Sequence, residues 1–131
     1  MYPNTFYRVS VKALIKDTKG NVLVLKENQD TWSLPGGGLD HGEDPLATIR
    51  RELVEELGIA DSEILGCKMT TTFHLAPKHT WLLWAVYDVQ INEHQEFVLG
   101  RGVTAARFID PAELTSSSDV FEQAVYKAAT A

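Results

Sequence analysis

The pattern of apolar and polar positions over the first forty residues predicts two strands and an irregular loop. Residues 7–13 alternate apolar and polar side chains, which is the period of a strand with one buried face. A turn in DTKGN leads to VLVLK, residues 22–26, which is apolar on both faces, so the two segments predict a hairpin that enters a central sheet. In TWSLPGGG, residues 31–38, Pro35 and the glycines exclude a regular helix or strand.

The next segment has the period of a helix. Asp44 followed by Pro45 is typical of an N-cap and first turn, and Gly58 is a suitable stop, so we predict a helix of about 13 residues between them. Its apolar residues form one stripe at helical spacing that should pack against the sheet: Leu46, Ile49, Leu53 and Leu57. The glutamates of this helix lie off that stripe.

The second half of the chain predicts further strands and a second helix. Residues 63–76 and 80–91 have strand composition and are joined by the turn-like PKH, and ARFI, residues 106–109, is a last short strand. The C-terminal segment predicts an amphipathic helix, with Asp119 and Glu122 spaced as a capping box. We therefore predict an α/β (α+β) fold in which a mixed sheet is flanked by two helices.

Composition narrows the class of partner. A chain of 131 residues, 44% apolar and 23% charged, can bury a core, and we predict a single domain over residues 1–131. The formal net charge of -6 provides no general attraction for nucleic-acid phosphates. We expect a small anionic substrate that is held locally, and no nucleic-acid partner.

Two features bear on location. Cys67 is the only cysteine, which excludes an intrachain disulfide, is compatible with a reducing cytoplasm and predicts a small buried side chain. The N-terminal residues lack a basic region followed by an apolar one, and the longest apolar run, residues 81–87, is too short to cross a bilayer. We therefore predict a cytoplasmic protein that has no membrane partner.

The predicted helix carries a cluster of acids. Residues three or four apart share a helix face, so Glu52 lies beside both Glu55 and Glu56, and like charges at this spacing repel by roughly 0.2–0.5 kcal/mol per pair. Clustered carboxylates are suitable ligands for hard divalent cations such as Mg²⁺. The alternative is a surface helix whose charges only keep the protein soluble.

The glycine-rich loop before this helix supplies the complementary part of a phosphate and metal site. Glycine backbone approaches a ligand closely, and its carbonyl and N–H groups can face a metal or a phosphate. The loop is not a Walker motif, because Glu43 stands where the lysine belongs. It is not a dinucleotide fingerprint either, because His41 stands in place of the last glycine.

Loop and helix together resemble the signature of the Nudix hydrolases at every position. The matching residues are Gly37, Glu43 after five intervening residues, and RELVEELGI after seven more, at residues 51–59. The resemblance implies an α/β/α sandwich with a mixed sheet between helices. It also implies an enzyme that uses Mg²⁺ or Mn²⁺ to hydrolyse the pyrophosphate linkage of a nucleoside diphosphate joined to another group, X, through attack of water on phosphorus.

The resemblance also implies roles for individual residues. Glu52, Glu55 and Glu56 would be the carboxylate ligands of the metal, and Gly37 would offer its backbone carbonyl. Glu43 and Arg51 correspond to a supporting ion pair that holds the loop against the helix. These roles come from the family and not from the spacing alone.

The general base and the substrate contacts are less determined. The base is either a glutamate of the helix or a carboxylate of a later loop, where NEHQEF offers Glu93 and Glu96, and we take Glu96 as the candidate against a plain surface role. Trp32 and Phe73, near predicted loop ends, are candidate contacts of the substrate's nucleobase, and His41 is a candidate phosphate contact.

Several alternatives stay open at this point. A catalytically silent nucleotide-binding or regulatory domain would have the same fold, although such domains commonly lose the glutamates that this chain keeps. The substrate could be a nucleoside triphosphate, ADP-ribose or a nucleotide sugar, and Pro77 lies slightly beyond the spacing associated with ADP-ribose hydrolases. A homodimer is also possible.

Overall fold

A computed structural model describes residues 6–76 and 79–131, so Pro77 lies outside the described residues. The strands found in those ranges are β1 (Tyr7–Leu14), β2 (Val22–Glu27), β3 (Gly36–Gly38), β4 (Ser62–Leu75), β5 (Thr80–Ile91) and β6 (Val103–Ile109). The helices are α1 (Pro45–Leu57) and α2 (Val120–Ala129), and a short 3₁₀ helix, Pro111–Leu114, precedes α2.

The strands form a mixed sheet in the order β3-β1-β5-β4 and a separate ribbon of β2 with β6. β1 and β5 run parallel, while β3 and β4 pair antiparallel with their neighbours. The predicted hairpin forms only at its closed end, where Lys16 faces Val22. Beyond that bridge the prediction is wrong, because β2 leaves β1 and pairs with β6.

Two apolar layers lie on opposite faces of the strands. Ile49, Leu53 and Leu57 of α1 pack in one layer, and Val125 and Ala128 of α2 pack in the other. β2 contributes to both, with alternate residues in the α1 layer and the α2 layer, because successive side chains of a strand point to opposite faces. This arrangement is the expected α/β/α sandwich, and it explains why VLVLK is apolar on both faces.

Helix α1 begins and ends where its sequence predicts. The Asp44 carboxylate accepts a hydrogen bond from the Ala47 N–H, Pro45 occupies the first turn, and the helix is 13 residues long. Gly58 adopts φ 68° and its N–H donates to the carbonyls of Leu53 and Val54. These two ends determine which way the glutamates of α1 face.

The glycine segment is a strand, contrary to the prediction. β3 pairs antiparallel with β1, and Val11 faces Gly37 in the register. Gly36 has φ +136°, and a Cβ atom at this position would overlap the carbonyl oxygen of Val11. Glycine is therefore what permits the pairing, because the two backbones approach too closely for a side chain.

Cys67 is exposed, so its predicted burial is wrong. It lies in β4 between two register shifts, Ile64/Gly66 and Cys67/Met69, where the strand is irregular against β5. Such an irregularity changes the face to which a side chain points, and the sequence pattern did not reveal it.

In the described parts of the chain, no helix is both long enough and apolar enough to span a membrane.

Candidate active site

The acids of α1 lie on a flank that two other segments cover. Glu52 is only 7% exposed and Glu56 only 2%, although both lie off the apolar stripe. β3 covers the flank from one side. The segment after β5 covers the end of the helix, since the N–H groups of Val98 and Gly100 donate to the carbonyls of Leu57 and Glu56 at 3.0 and 3.1 Å.

The backbone of β3 lies directly against the first of these carboxylates. A Cβ atom at Gly37 would stand 2.6 Å from Oε1 of Glu52, so any side chain there would displace the carboxylate. The strand and the helix therefore bring a glycine backbone and a buried glutamate together, as a shared metal site requires.

Arg51 joins the loop to the acids. Its Nη2 lies 3.0 Å from Glu43, and its Nη1 lies 3.2 Å from both Glu52 and Glu55. Hydrogen bonds from the Thr48 hydroxyl, the Asp40 N–H and Arg51 lower the pKa of Glu43 below its ordinary value, so this carboxylate stays charged and available to Arg51.

A second guanidinium, which the sequence reading missed, reaches the same acids. Nη1 of Arg101 lies 3.2 and 3.3 Å from the two carboxylate oxygens of Glu52, and it also contacts Glu55. Arg101 comes from the loop between β5 and β6, 49 residues after Glu52. The only local signal for it was a cation between two glycines in GRG, residues 100–102.

Glu56 faces a different set of partners. Its Oε1 accepts a hydrogen bond from the Gly36 N–H at 2.9 Å. Burial, and then a hydrogen bond shared with the carboxyl group of Glu27, raise the pKa of Glu56 to about 9, against the opposing effects of Gly36 and Lys12. Without a further cation, the Glu27–Glu56 pair therefore keeps a proton at neutral pH.

Lys12 is the cation next to this pair, and sequence reading missed it too. Its Nζ donates to the Leu34 carbonyl at 3.3 Å and lies 5.0 Å from the centre of the Trp84 ring. Desolvation lowers the pKa of Lys12, although Glu56 and Glu27 oppose the shift. A lysine among the apolar residues of a buried strand was the available signal, but nothing in the sequence pointed it at Glu56.

Within residues 6–76 and 79–131, no three acidic, histidine or cysteine side chains are close enough together to hold a metal ion in this conformation. Glu52 and Glu55 share Arg51 and Arg101, while Glu56 turns to Gly36 and Glu27. Cationic side chains thus stand among the carboxylates that the resemblance assigns to a metal.

A cavity of about 970 Å³ opens next to the loop before α1, on the α2 side of the sheet, and its lining does not include Glu52, Glu55 or Glu56. Its lining includes two cations, four aromatic rings and a histidine of the loop before α1: Arg8, Lys12, Phe6, Tyr7, Trp84, Phe121 and His41. A smaller recess of about 230 Å³ shares Lys12 and Phe121 with it and reaches Glu27 and the β3 glycines. Cations, aromatic rings and acids thus line neighbouring spaces.

The predicted substrate residues are in three different settings. His41 lines the cavity. Phe73 is not part of the lining but stacks edge-on against Trp84 and Phe121, with ring centres 5.2 and 5.5 Å away. Trp32 is also absent from the lining, and its ring contacts two cations, Lys26 at 4.5 Å and Arg107 at 5.2 Å from the ring centre.

The candidate base lies apart from the acids of α1. Glu96 is exposed, and no ion pair or hydrogen bond joins its carboxylate to another described residue. Glu93 lines a separate cavity of about 500 Å³ together with Lys16 and Asp17. The structure therefore does not bring either residue into contact with Glu52, Glu55 or Glu56, and the role of Glu96 stays a prediction.

Comparison with known proteins adds the family context. A family model described as the NUDIX domain matches residues 6–129. The RNA pyrophosphohydrolase of Ruthia magnifica subsp. Calyptogena magnifica is 37% identical over 91 residues, which cover 69% of this chain and 46% of that protein. The RNA pyrophosphohydrolase of Hamiltonella defensa subsp. Acyrthosiphon pisum is 33% identical over 105 residues, covering 76% and 62%. The chain thus spans less than two thirds of the length of these two relatives.

A solved structure has the same fold. The MutT protein from Methanosarcina mazei Go1 superposes with a TM-score of 0.79 at 20% identity, over 98% of this chain and 96% of that one. The shared architecture extends over nearly the whole of both chains.

Proposed function

The chain belongs to the NUDIX family, and from this premise we propose that it is a metal-dependent pyrophosphohydrolase of a nucleoside diphosphate linked to another group. One observation carries the proposal: Glu52, Glu55 and Glu56 lie on one flank of α1, where Glu52 and Glu56 are buried against the glycine backbone of β3, and that strand and the loop after it line cavities that also contain cations and aromatic rings. A purely structural acidic helix needs neither the covering glycine strand nor the cavity.

The donor set fits Mg²⁺ or Mn²⁺. Glu52, Glu55, Glu56 and the carbonyl of Gly37 supply only oxygen ligands, which hard cations prefer. The guanidinium groups of Arg51 and Arg101 already stand among these oxygens, and the Glu27–Glu56 pair is short of positive charge. When bound there, the metal would neutralise the diphosphate and lower the pKa of a water molecule.

The other residues bind and orient. Arg8 and Lys12 place positive charge in the cavity, where phosphate groups of the substrate would gain from it. Phe121, which is half-buried, offers aromatic surface for a nucleobase, and its ring is held by edge-on contact with Phe73 and by the buried Trp84. The Glu43–Arg51 pair ties the loop to α1 and keeps Glu52 in place.

The substrate is the finer part of the proposal. The relatives described above are named RNA pyrophosphohydrolases, so an RNA that carries a pyrophosphate linkage is the alternative substrate to a free nucleotide. The net charge of -6 favours the smaller substrate, because the surface as a whole repels a polyanion. We therefore propose a small nucleotide substrate for this site and keep Glu96 as the candidate general base.

The first experiment is a product-release screen with Mg²⁺ or Mn²⁺. The panel comprises nucleoside triphosphates, ADP-ribose, nucleotide sugars, dinucleotides and a 5′-triphosphorylated RNA oligonucleotide. Glu56→Gln is run beside the parent protein, and we expect the variant to remain folded but to lose most turnover, because it removes one proposed ligand.

Two results would contradict the proposal. Full activity in a folded Glu56→Gln protein would remove Glu56 from the site. An absence of turnover on every substrate, together with calorimetric binding of a nucleotide, would favour the catalytically silent binding domain instead.

A further inference from the structure

The loop that carries Arg101 is held firmly at its backbone. The Gly100 N–H donates to the carbonyl of Glu56 at 3.1 Å, and the Val103 N–H donates to the carbonyl of Gly100 at 3.0 Å. Arg101 itself has φ 50°, a left-handed conformation that a residue with a side chain rarely adopts. The chain thus accepts local strain at the position that directs this guanidinium toward the acids.

Two guanidinium groups bridge the same pair of oxygens. Nη1 of Arg51 and Nη1 of Arg101 both contact Oε1 of Glu52 and Oε2 of Glu55. The gap between these two carboxylates is therefore already a cation site, and a side-chain nitrogen occupies it in this structure.

The two arginines differ in how they are anchored. Arg51 is also paired with Glu43 at 3.0 Å, so it keeps one partner if it loses the others. The carboxylates of Glu52 and Glu55 are the described ion-pair partners of Arg101, and its side chain is 53% exposed. Arg101 is consequently the cation that can leave at the lower cost.

We propose that Arg101 is a resident counter-cation of the Glu52–Glu55 pair, which a divalent metal must displace, so that Arg101 sets the affinity of the site for its metal. This inference rests on the proposed metal-dependent function. It makes Arg101 a positioning residue that acts through two carboxylates, and not a residue that touches the reacting atoms.

The expected effect follows from competition. A metal that binds only the Arg101-free form has an apparent affinity reduced by the fraction of molecules in that form. The ion pairs of Arg101 with Glu52 and Glu55 are half-exposed and therefore weak, so they lower the fraction of molecules with Arg101 dissociated only modestly. Replacing Arg101 with glutamine should therefore tighten metal binding by about threefold to tenfold.

The test measures metal binding without substrate. Mn²⁺ is titrated by calorimetry, and free Mn²⁺ is followed by electron paramagnetic resonance, for the parent, Arg101→Gln, Arg101→Lys and the matched control Arg107→Gln. Arg107 is a similarly exposed arginine of β6; its described contacts are Glu113, at 3.8 Å, and the Trp32 ring, and none of them is an acid of α1. Arg101→Gln should bind Mn²⁺ more tightly, Arg101→Lys should fall between it and the parent, and Arg107→Gln should match the parent.

A second measurement reports displacement directly. The Nε–Hε signal of Arg101, identified by its loss in Arg101→Lys, should shift during a Mg²⁺ titration and level off with metal occupancy, whereas the corresponding signal of Arg107 should not. Equal Mn²⁺ affinity in the parent and in folded Arg101→Gln, or an Arg101 signal that ignores Mg²⁺, would overturn the inference and leave the proposed function standing. A parent protein that binds no divalent cation would overturn both.

Discussion

The two helices of this protein use glutamate in opposite ways. On α2, Glu122 accepts hydrogen bonds from the Trp32 N–H at 2.9 Å and from the Ser117 hydroxyl at 2.7 Å. Both donors are neutral. On α1, Glu52 and Glu55 face two guanidinium groups, and Glu56 faces another carboxyl group.

The difference separates an acid with a structural role from the acids for which we propose a functional one. Neutral donors within the fold bind both carboxylate oxygens of Glu122, and no cationic side chain is among its described hydrogen-bond or ion-pair partners. The acids of α1 are crowded, and their charge is balanced by guanidinium groups at Glu52 and Glu55 and by a retained proton at Glu56. Helix position does not distinguish the two cases, since both helices begin at an aspartate N-cap; the partners do.

The largest expected effect is on kcat, and it tests whether Glu52 and Glu122 differ in role. We expect Glu52→Gln to lower kcat by about 100-fold or more, because it removes a proposed ligand at the centre of the site. The matched change on the other helix, Glu122→Gln, should leave kcat within about twofold of the parent, because Glu122 is not a proposed metal ligand. Steady-state kinetics with the substrate found in the screen checks both, and equal losses in the two variants would end the distinction.

The second prediction concerns stability on α2. Glu122→Ala removes the acceptor for the Trp32 N–H and the Ser117 hydroxyl, and we expect the free energy of unfolding to fall by about 1–3 kcal/mol. Glu122→Gln, which keeps one carbonyl oxygen, should lose less. Urea denaturation measures the change, and an unaltered midpoint for Glu122→Ala would mean that these hydrogen bonds are replaced by water.

The smallest expected effect is on the pH dependence of stability, and it concerns Glu56 of α1. Burial and Glu27 raise the pKa of Glu56 to about 9, above its ordinary 4.5, so ionisation is harder in the folded protein than in the unfolded chain. Its contribution to metal-free stability is therefore present below the ordinary pKa and declines as the pH rises toward about 9. Glu56→Gln should abolish this decline and stabilise the metal-free protein by about 1–2 kcal/mol near pH 8.

The check is thermal unfolding of both proteins with a chelator between pH 5 and pH 8. The two melting temperatures should be close at pH 5 and separate as the pH rises. A parent curve that runs parallel to the variant over this range would show that Glu56 does not hold its proton.

Local rules decided the elements that the sequence predicted correctly. Asp44, Pro45 and Gly58 set the ends of α1 through bonds within a few residues, and the 3.6-residue period put Ile49, Leu53 and Leu57 in the core. The spacing of Gly37, Glu43 and Arg51 is likewise written in one continuous segment. Such features need no knowledge of the rest of the chain.

Tertiary structure decided the remainder, because the contacts concerned join distant parts of the chain. Whether glycines form a strand depends on the backbone of β1 alongside them. The predicted capping box forms only in part: the Glu122 N–H donates to Asp119, but the Glu122 carboxylate accepts from the Trp32 N–H, 90 residues away, and not from the Asp119 N–H, which donates to the Ser117 hydroxyl. Arg101 and Lys12 reach the acids of α1 only after the strands have been placed. The sequence by itself determined which helix carries the acids and where it starts and stops, while long-range packing determined what stands opposite each carboxylate.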